Sequence, residues 1–398
     1  MTATATATLP IADRRPRTGT PRMRVLCVLE STNQLYSGIG RNLFESARHL
    51  AGRVEYEFAI DDWDARNLQH LRRFAAEHEL AVNVGRGRLV PGQCGPINEG
   101  LPELLRARRW DAVEVTGWAN SASHSVVLDT IGDTVLGYTP HDQPTWTVEF
   151  SEEEAAHVSD IHARVVRRGD VVFCDSPWER GKLQGLAPGL ENCQYVPLGC
   201  DFEAFRAGTT ARRPQLLFVG DLREHRKRFD RVIDVFGRLQ RHRPDLRLLV
   251  LGNRGDEAGE RIPDHLRPAC DLRGYVSEAE LRRAYAESLG LFLLSDFEAF
   301  GLPILEALAC GTPVFLSRQD VTVGVFGDYP GAHFCPADDT EVTAAIVGAT
   351  LARGDAAILE VLRDRDRLRS TFDWASLADR KWRALSSAWF YREHWPWK

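Results

Sequence analysis

The 398-residue sequence lacks three features that would each point to a class of protein. No apolar stretch approaches the roughly 20 residues that a helix needs to span a bilayer. There is no basic excess, because the formal net charge is -6, whereas nucleic-acid-binding domains are usually basic. No CxxC pair occurs among the eight cysteines. We therefore expect neither a transmembrane segment nor a nucleic-acid partner.

The cysteines and the first residues bear on the cellular compartment. Several cysteines sit within strand-like runs such as VLCVLE and VVFCDS, which favours reduced, buried thiols. Residues 1–22 are rich in Thr, Ala, Pro and Arg, and they lack both core periodicity and the continuous apolar segment of a secretory signal. This segment is predicted to be a disordered tail, and the protein is predicted to be cytoplasmic.

Strand-like and helix-like segments alternate along the chain, which is typical of a doubly wound parallel sheet of the α/β class. A polar, proline-containing stretch at 206–214 indicates a linker, and QLLFVG after it begins a second such sheet. We therefore predict a first domain over 23–205, a second over 206–372 and a C-terminal helix over 373–398. Ligands of such sheets bind beyond the carboxyl ends of the strands.

The segment SDFEAFGLPILEALACGTPV, residues 295–314, carries the clearest functional pattern. Pro303 suits the first turn of a helix because its missing N–H would have no intrahelical partner there, and Gly311 with Pro313 ends that helix. Free backbone N–H groups at the helix start and in the preceding loop would form a positive concavity for phosphate or sugar oxygens. The predicted loop comprises Ala299, Phe300, Gly301 and Leu302.

Two glutamates accompany this loop. Glu298 lies within it, and Glu306 lies one turn into the helix, on the face away from Ile304, so Glu306 is predicted to face the ligand cleft. The whole string, with its E-x7-E spacing, closely resembles the retaining glycosyltransferases of family 4. The alternative is an ordinary strand and helix in which both glutamates are merely solvated.

The resemblance implies the GT-B fold, in which two Rossmann-like domains have a cleft between them. It also implies transfer of a sugar, with retained anomeric configuration, from a nucleotide diphosphate sugar to an acceptor hydroxyl or amine. Glu298 would orient the donor sugar's hydroxyls and Glu306 the ribose. The nucleotide sugar is a substrate, and no cofactor or metal ion is expected. Two rivals stay open: a nucleotide-sugar epimerase or hydrolase on the same fold, and a non-catalytic nucleotide-sugar binding protein.

A glycine-containing turn follows the first predicted strand. Gly38 and Gly40 precede a predicted helix, but Leu43 stands where a dinucleotide-binding fingerprint needs its third glycine. By resemblance, the backbone at Gly38 and Gly40 approaches the donor diphosphate. A simple turn is the alternative.

Two histidines follow strands of the first domain. His141 comes directly after VLGYTP, and His124 follows WDAVEVTG by a few residues. The resemblance implies that a histidine in the position of His141 contacts the donor sugar, and His124 fits that role less well. A purely structural role is the alternative for both.

Several cations follow the first strand of the second domain. Arg223, Arg226 and Lys227 lie just beyond its end, where they suit a diphosphate. The resembled family usually has an arginine where this chain has Asp221, which puts that arginine contact in doubt and leaves these three cations to compete for the phosphate. We favour Lys227 with Arg226; a solvated basic turn is the alternative.

The remaining partners are less legible. By resemblance, Tyr275 and Val276 would hold the nucleotide base, although core packing explains both almost as well. The amphipathic segment 101–110 could supply a peripheral membrane contact for a lipid-linked acceptor, but a plain amphipathic helix is the alternative. The tryptophans of the C-terminal helix could anchor it to the first domain. We predict no particular base, sugar, acceptor or oligomeric state.

Overall fold

Two parallel β-sheets organise the part of the chain that the structure describes. The computed structural model describes residues 22–30, 35, 37–89, 96–117, 122–141, 151–208, 211–253, 258–336 and 338–394. The chain divides into a first unit, Met1–Leu198 with Trp374–Lys398, and a second unit, Gly199–Asp373. The tail predicted at 1–22 lies outside the described residues, apart from Arg22.

The strands of the first unit are β1 (Met23–Val28), β2 (Val54–Asp61), β3 (Ala81–Gly85), β4 (Gly87–Leu89), β5 (Pro96–Asn98), β6 (Ala112–Thr116), β7 (Val135–Thr139), β8 (Val171–Cys174) and β9 (Cys193–Tyr195). Seven of them form a parallel sheet in the order β3-β2-β1-β6-β7-β8-β9. β4 and β5 form a separate antiparallel pair that the sequence pattern did not predict.

The second unit contains a six-stranded parallel sheet. Its strands are β10 (Gln215–Val219), β11 (Arg247–Leu251), β12 (Cys270–Leu272), β13 (Gly290–Leu293), β14 (Val314–Ser317) and β15 (Ala332–Cys335). Their order is β12-β11-β10-β13-β14-β15.

Helices connect the strands of both sheets. Those of the first unit are α1 (Gly38–Leu50), α2 (Ala65–Glu77), α3 (Leu101–Ala107), α4 (Ala122–Thr130), α5 (Glu152–Arg168) and α6 (Pro177–Leu186). Those of the second unit are α7 (Phe229–His242), α8 (Glu278–Glu287), α9 (Leu302–Ala309), α10 (Asp320–Phe326), α11 (Thr340–Ala352), α12 (Asp355–Arg363) and α13 (Arg365–Phe372), and α14 (Trp374–His394) returns to the first unit.

No single helix in the described ranges is long and apolar enough to cross a membrane. The consecutive helices α11 and α12 reach that length and composition only when taken together, and they are bent by 89°.

Strand order reverses next to the first strand of each sheet, where β6 lies beside β1 and β13 lies beside β10. Strands at such positions are covered on both faces and therefore read as near-continuous apolar runs, as Leu291 to Leu294 do, all of them buried. The predicted α/β class with two Rossmann-like sheets is confirmed. In sheets of this kind, ligands bind beyond the carboxyl ends of the strands at the reversal point.

The division between the units falls after Leu198 rather than at the predicted residue 206. Residues 199–205 belong to the second unit because its α13 holds them. The guanidinium of Arg365 donates hydrogen bonds to the carbonyl oxygens of Phe202 and Phe205, and both phenylalanine side chains are buried. The polar stretch predicted to be the linker therefore follows the division instead of marking it.

The C-terminal helix α14 packs within the first unit against α1, β7 and β8. Trp374 is buried, but the helix is also held by contacts that its tryptophans did not suggest. Lys381 is buried and forms an ion pair with Glu114 on β6. Leu385 reaches the backbone of Gly137, where an added Cβ would lie 2.9 Å from it. The guanidinium of Arg53 lies 4.7 Å from the ring centroid of Trp382, so tryptophans and a buried lysine together hold this helix.

Candidate functional site

The second unit brings a cation and a carboxylate together where its strand order reverses. Lys227 lies in the segment after β10, and Glu298 lies in the loop after β13. Nζ of Lys227 donates to both carboxylate oxygens of Glu298, at 2.8 Å to Oε1 and 3.0 Å to Oε2. Lys227 is 9 % exposed and Glu298 is 5 % exposed. This ion pair therefore lies at the ligand-binding edge of the sheet but is largely shielded from water.

Arg226 adds a second cation to the pair. Its Nη1 lies 3.6 Å from Oε2 of Glu298 and donates to the carbonyl of Phe297 at 2.7 Å, while its Nη2 lies 2.6 Å from Glu224. Burial by itself would raise the pKa of Glu298, but the charges of Lys227 and Arg226 outweigh burial and hold that pKa below its ordinary value. Glu298 is therefore ionised at neutral pH.

Gln319 fixes the loop that carries Glu298. Its side-chain oxygen accepts a hydrogen bond from the backbone N–H of Glu298 at 2.9 Å, and its side-chain nitrogen donates to the carbonyl of Ser295 at 2.6 Å. Gln319 directly precedes α10, on the far side of a further helix and strand. Sequence reasoning missed this residue because nothing in its local pattern reports a contact with so distant a loop.

Asp221 holds Arg223 away from the ion pair. The guanidinium of Arg223 donates to both oxygens of Asp221 at 2.6 to 3.1 Å, and the amide of Asn253 donates to the same carboxylate at 2.8 Å. Of the three cations that were candidates for the diphosphate, the structure brings the other two to Glu298 and leaves this one exposed. The assignment of the phosphate contact stays a prediction, which these contacts support.

The start of helix α9 is built around Gly301. The helix begins at Leu302, one residue before the predicted start at Pro303, and Gly301 precedes it with φ +93°. A Cβ on Gly301 would lie 2.6 Å from the side chain of Ile304. Both the left-handed backbone and the lack of space therefore require glycine. At the helix start Pro303 has no N–H and the N–H of Ile304 donates to the carbonyl of Gly301 at 2.9 Å, so in this first turn it is the N–H of Leu302 that lacks an intrahelical partner.

The other side chains of this loop are not equally available to a ligand. The ring of Phe300 is buried against those of Phe326 and Phe372. The donor contact predicted for Phe300 is therefore limited to its backbone. Ala299 and Leu302 are half-buried. The loop therefore offers mainly backbone groups.

Glu306 lies one turn into α9, as predicted, and its carboxylate is buried. The phenol of Tyr285, on α8, donates to Oε2 of Glu306 at 2.9 Å. Burial, and then the neighbouring carboxylate, raise the pKa of Tyr285 well above its ordinary value, so the phenol stays protonated. Sequence reasoning missed Tyr285 because a tyrosine inside a helix is usually a core residue.

Tyr275 and Val276 follow β12 at the same edge of the sheet. The side chain of Tyr275 is 69 % exposed, and that of Val276 is half-buried. Core packing, the alternative explanation, is therefore wrong for Tyr275. The loop is tied to the neighbouring strand end, because the N–H of Gly252 donates to the carbonyl of Gly274 at 3.1 Å.

In the first unit, Gly38 and Gly40 lie inside α1 instead of in a loop before it, which corrects the predicted start of that helix. A Cβ on Gly40 would lie 1.8 Å from the carbonyl oxygen of Leu35. Gly40 therefore lets the chain at Leu35 pass against the helix, and this contact within the protein accounts for the glycine. Gly38 is half-buried at the first turn, where N–H groups lack intrahelical partners.

His141 lies directly after β7, with its imidazole between two side chains from other segments. Nδ1 lies 2.7 Å from Oδ2 of Asp175, which follows β8, and Nε2 lies 3.4 Å from Nδ2 of Asn42 on α1. The backbone of His141 has φ +59°. Asp142, the other half of the His-Asp pair in the sequence, lies outside the described residues. Sequence reasoning missed Asp175 and Asn42, because only the fold brings these three segments together.

His124 lies near the strand-order reversal of the first unit and belongs to a buried polar group. Its Nδ1 lies 3.7 Å from Oε1 of Glu30, and its ring meets the edge of Tyr138, whose ring also contacts His162. Burial raises the pKa of Glu30. Burial, with a smaller effect of His124, lowers the pKa of His162 to about 3. Burial thus disfavours the charged forms of Glu30 and His162.

The fold and the second-unit edge define a class of protein, namely two Rossmann-like units with a cation–carboxylate pair at a strand-order reversal. Solved structures share this fold at low identity. HepE from Anabaena, solved with UDP and glucose, has a TM-score of 0.73 at 16 % identity and covers 92 % of this chain and 100 % of its own. Sucrose-phosphate synthase from Thermosynechococcus elongatus has a TM-score of 0.70 at 18 % identity, with the same coverage.

Sequence similarity to known proteins identifies the family. The family model described as glycosyl transferases group 1 matches residues 201–350. A phosphatidyl-myo-inositol mannosyltransferase of Mycobacterium tuberculosis is 30 % identical over 331 residues, which cover 76 % of this chain and 83 % of that protein. A glycogen synthase of the same species is 30 % identical over 233 residues, 56 % of this chain and 55 % of that enzyme. The chain belongs to the group 1 glycosyltransferases, the family-4 type, and its GT-B class is confirmed.

Proposed function

We propose that this protein transfers a sugar, with retained anomeric configuration, from a nucleotide diphosphate sugar to the hydroxyl or amine of an acceptor. Membership of the family supports the reaction class. The observation that carries the proposal is the shielded ion pair of Lys227 and Glu298, with Arg226 beside it, at the ligand-binding edge of the second sheet. Its groups match the two parts of a donor that must be held, a diphosphate and a sugar.

The leaving diphosphate gains negative charge as the glycosidic bond breaks. Lys227 and Arg226 would stabilise that charge, and a single preorganised donor of this kind is worth about 3 kcal/mol of barrier. An ammonium has three N–H groups, so Lys227 can keep a contact with Glu298 while it binds a phosphate oxygen. The N–H of Leu302 at the start of α9 and that of Gly38 in the first turn of α1 would add further donors.

Recognition of the sugar and nucleoside falls to the carboxylates and to Tyr275. Glu298, ionised and fixed through Gln319, would accept hydrogen bonds from the sugar's hydroxyls. Glu306, oriented by Tyr285, would accept from the ribose hydroxyls. The exposed ring of Tyr275, beside Val276, would stack on the base. His141 would contact the donor sugar.

We propose no metal requirement, because Lys227 and Arg226 supply the positive charge that a metal ion would otherwise bring.

We also propose a reducing, cytoplasmic location. All seven cysteines in the described ranges are free thiols. The acceptor stays open. The segment 101–110 gives little support to a membrane surface, because Leu101 and Leu105 of α3 are buried.

The test measures donor binding by the full-length protein. Its thermal unfolding is recorded with and without UDP-, GDP-, ADP- and TDP-sugars. One donor at 100 times its dissociation constant should add about 2.7 kcal/mol of stability. Glu306→Ala should abolish this gain. Glu287→Gln is the matched control, because Glu287 is an equally buried carboxylate that pairs with Arg213 before β10, at the other end of the strands. If no donor stabilises the protein, the proposal is wrong in its substrate.

Turnover then separates the reaction from its rivals. With the donor identified and its sugar isotopically labelled, transfer places the label on an acceptor, whereas an epimerase or hydrolase returns it as an altered donor or a free sugar. A binding protein gives no turnover. Retention is read from the anomeric configuration of the product by NMR, and an inverted product contradicts that part of the proposal.

A further inference from the structure

Asp175 is a costly residue whose side chain contacts His141. Its side chain is 1 % exposed, and a buried carboxylate is unfavourable unless it is paired. Oδ2 lies 2.7 Å from Nδ1 of His141, whereas Oδ1 has no hydrogen-bond partner among the described residues. The short contact to the imidazole is therefore the one hydrogen bond that this buried side chain makes among the described residues.

The position of Asp175 is fixed by its own neighbours. It directly follows β8, and its backbone N–H donates to Oε2 of Glu179 at 2.6 Å. Ser176 caps α6 by accepting from the N–H of Glu179 at 3.1 Å. The carboxylate is thus held by a strand end and by a capped helix start, which leaves it little freedom to turn away from the histidine.

His141 is constrained as strongly as its partner. It is 5 % exposed and has φ +59°, a backbone conformation that residues other than glycine rarely adopt. Such strain persists only where the surroundings enforce it, and it is concentrated at functional sites. A carboxylate can only accept a hydrogen bond, so Nδ1 must carry a proton. Nε2 then presents its lone pair, and the loose 3.4 Å contact with Asn42 is its partner here.

We propose that Asp175 is a positioning residue. It holds the His141 proton on Nδ1, so that Nε2 accepts a hydrogen bond from a hydroxyl of the bound sugar in place of the Asn42 amide. This inference rests on the proposed function. It adds to that function the hydrogen-bonding polarity of the histidine and the residue that sets it.

The first test is independent of turnover. The full-length protein is labelled with ¹⁵N-histidine, and the signal of His141 is assigned by its loss in His141→Gln. The expected spectrum shows a protonated Nδ1 and a bare Nε2. A proton on Nε2, in either the other neutral tautomer or the imidazolium, overturns the proposal. This measurement decides the question even if a variant of Asp175 fails to fold or if no donor is found.

The second test uses kcat/KM for transfer in Asp175→Asn. Asparagine keeps the shape but can present N–H groups to Nδ1, which favours the wrong tautomer. We expect a roughly tenfold to hundredfold loss, the usual effect of removing a partner that orients a functional histidine. Because Asp175 acts through the imidazole, adding Asp175→Asn to His141→Gln should cost nothing more. A rate within about threefold of the native protein, or full additivity of the two losses, overturns the proposal.

The matched control is Asp170→Asn, at the opposite end of β8. Asp170 pairs with Arg392 and accepts the N–H of Leu136, so its loss lowers stability without touching His141. Its kcat/KM should stay within about threefold of the native value. If the native protein itself transfers no sugar, the proposed function fails, and the tautomer alone then decides the role of Asp175.

Discussion

The carboxyl edges of the two sheets solve the problem of buried charge in opposite ways. In the second unit, Glu298 is kept ionised by Lys227 and Arg226. In the first unit, burial favours the neutral forms of Glu30 and His162. An edge that holds fixed charges suits an anionic ligand. At the first-unit edge, the carboxylate of Asp175 faces an imidazole, and an acceptor of that kind suits a sugar hydroxyl. The same strand order therefore supports two kinds of recognition, depending on the charges placed after the strands.

The largest effect should come from removing the fixed negative charge of the second unit. Glu298→Gln should lower kcat/KM by roughly a thousandfold, about 4 kcal/mol of barrier, because the sugar loses its charged acceptor and Lys227 loses its counter-charge. Steady-state transfer kinetics measure this loss.

The stability of the same variants separates catalysis from folding. Glu298→Gln leaves a buried cation unpaired and should destabilise the second unit, whereas Glu298→Gln combined with Lys227→Met should recover stability but stay inactive. Denaturant unfolding provides the comparison. Full transfer by folded Glu298→Gln would contradict the role given to this carboxylate.

A smaller effect should distinguish the cations of that edge. Lys227→Met should lower kcat/KM by roughly a hundredfold, the value of one preorganised donor to the departing phosphate. Arg223→Met should change it by less than about threefold, because Arg223 is exposed and already bound by Asp221. Equal losses in the two variants would show that Arg223 also reaches the diphosphate.

The smallest effect concerns the carboxyl edge of the first unit. The pKa of His162 is about 3, below its ordinary value of 6.5, so between these values the unfolded chain binds a proton that the native protein does not. Stability should therefore rise with pH across this window and fall as pH drops below 6.5, by about 1.4 kcal/mol per pH unit for this group.

His162→Phe should remove that slope while keeping an aromatic ring against Tyr138. His157, exposed on the same helix α5, offers the control: His157→Gln should leave the slope unchanged. Free energies of unfolding from denaturant titrations between pH 4.5 and 7 (the part of the window that avoids strong acid) measure the difference. A slope unaffected by His162→Phe would mean that this histidine is charged in the folded protein.

The two edges also differed in how much of the candidate site could be predicted from the sequence. The second-unit pattern could be read because Glu298, Gly301 and Glu306 lie within one strand–loop–helix segment, where hydrogen bonding and helical period act over a few residues. The first-unit group could not be predicted, because Asn42, His141 and Asp175 come from three segments. They meet only when β7 pairs with β8 and Asn42 of α1 comes within 3.4 Å of the imidazole. The roles of these residues in binding stay predictions.

Local sequence patterns predicted most of the secondary structure, and the predictions were wrong where tertiary contacts intervened. The polar stretch after 206 resembled a linker, but Arg365 binds the preceding segment into the second unit. Gly38 and Gly40 resembled a ligand loop, but the chain at Leu35 crosses close to the helix and requires the second glycine.

The α/β class, the family and the pair of glutamates could all be recognised from the sequence, because apolar periodicity, helix boundary residues and a contiguous motif are properties of neighbouring residues. Only the tertiary structure decided which cations meet Glu298, that Tyr285 contacts Glu306, and that Asp175 contacts His141. These contacts join residues that are far apart in sequence. They exist because folding buries charged and polar groups that must then find partners, and the sequence pattern around each residue does not report which partner that is.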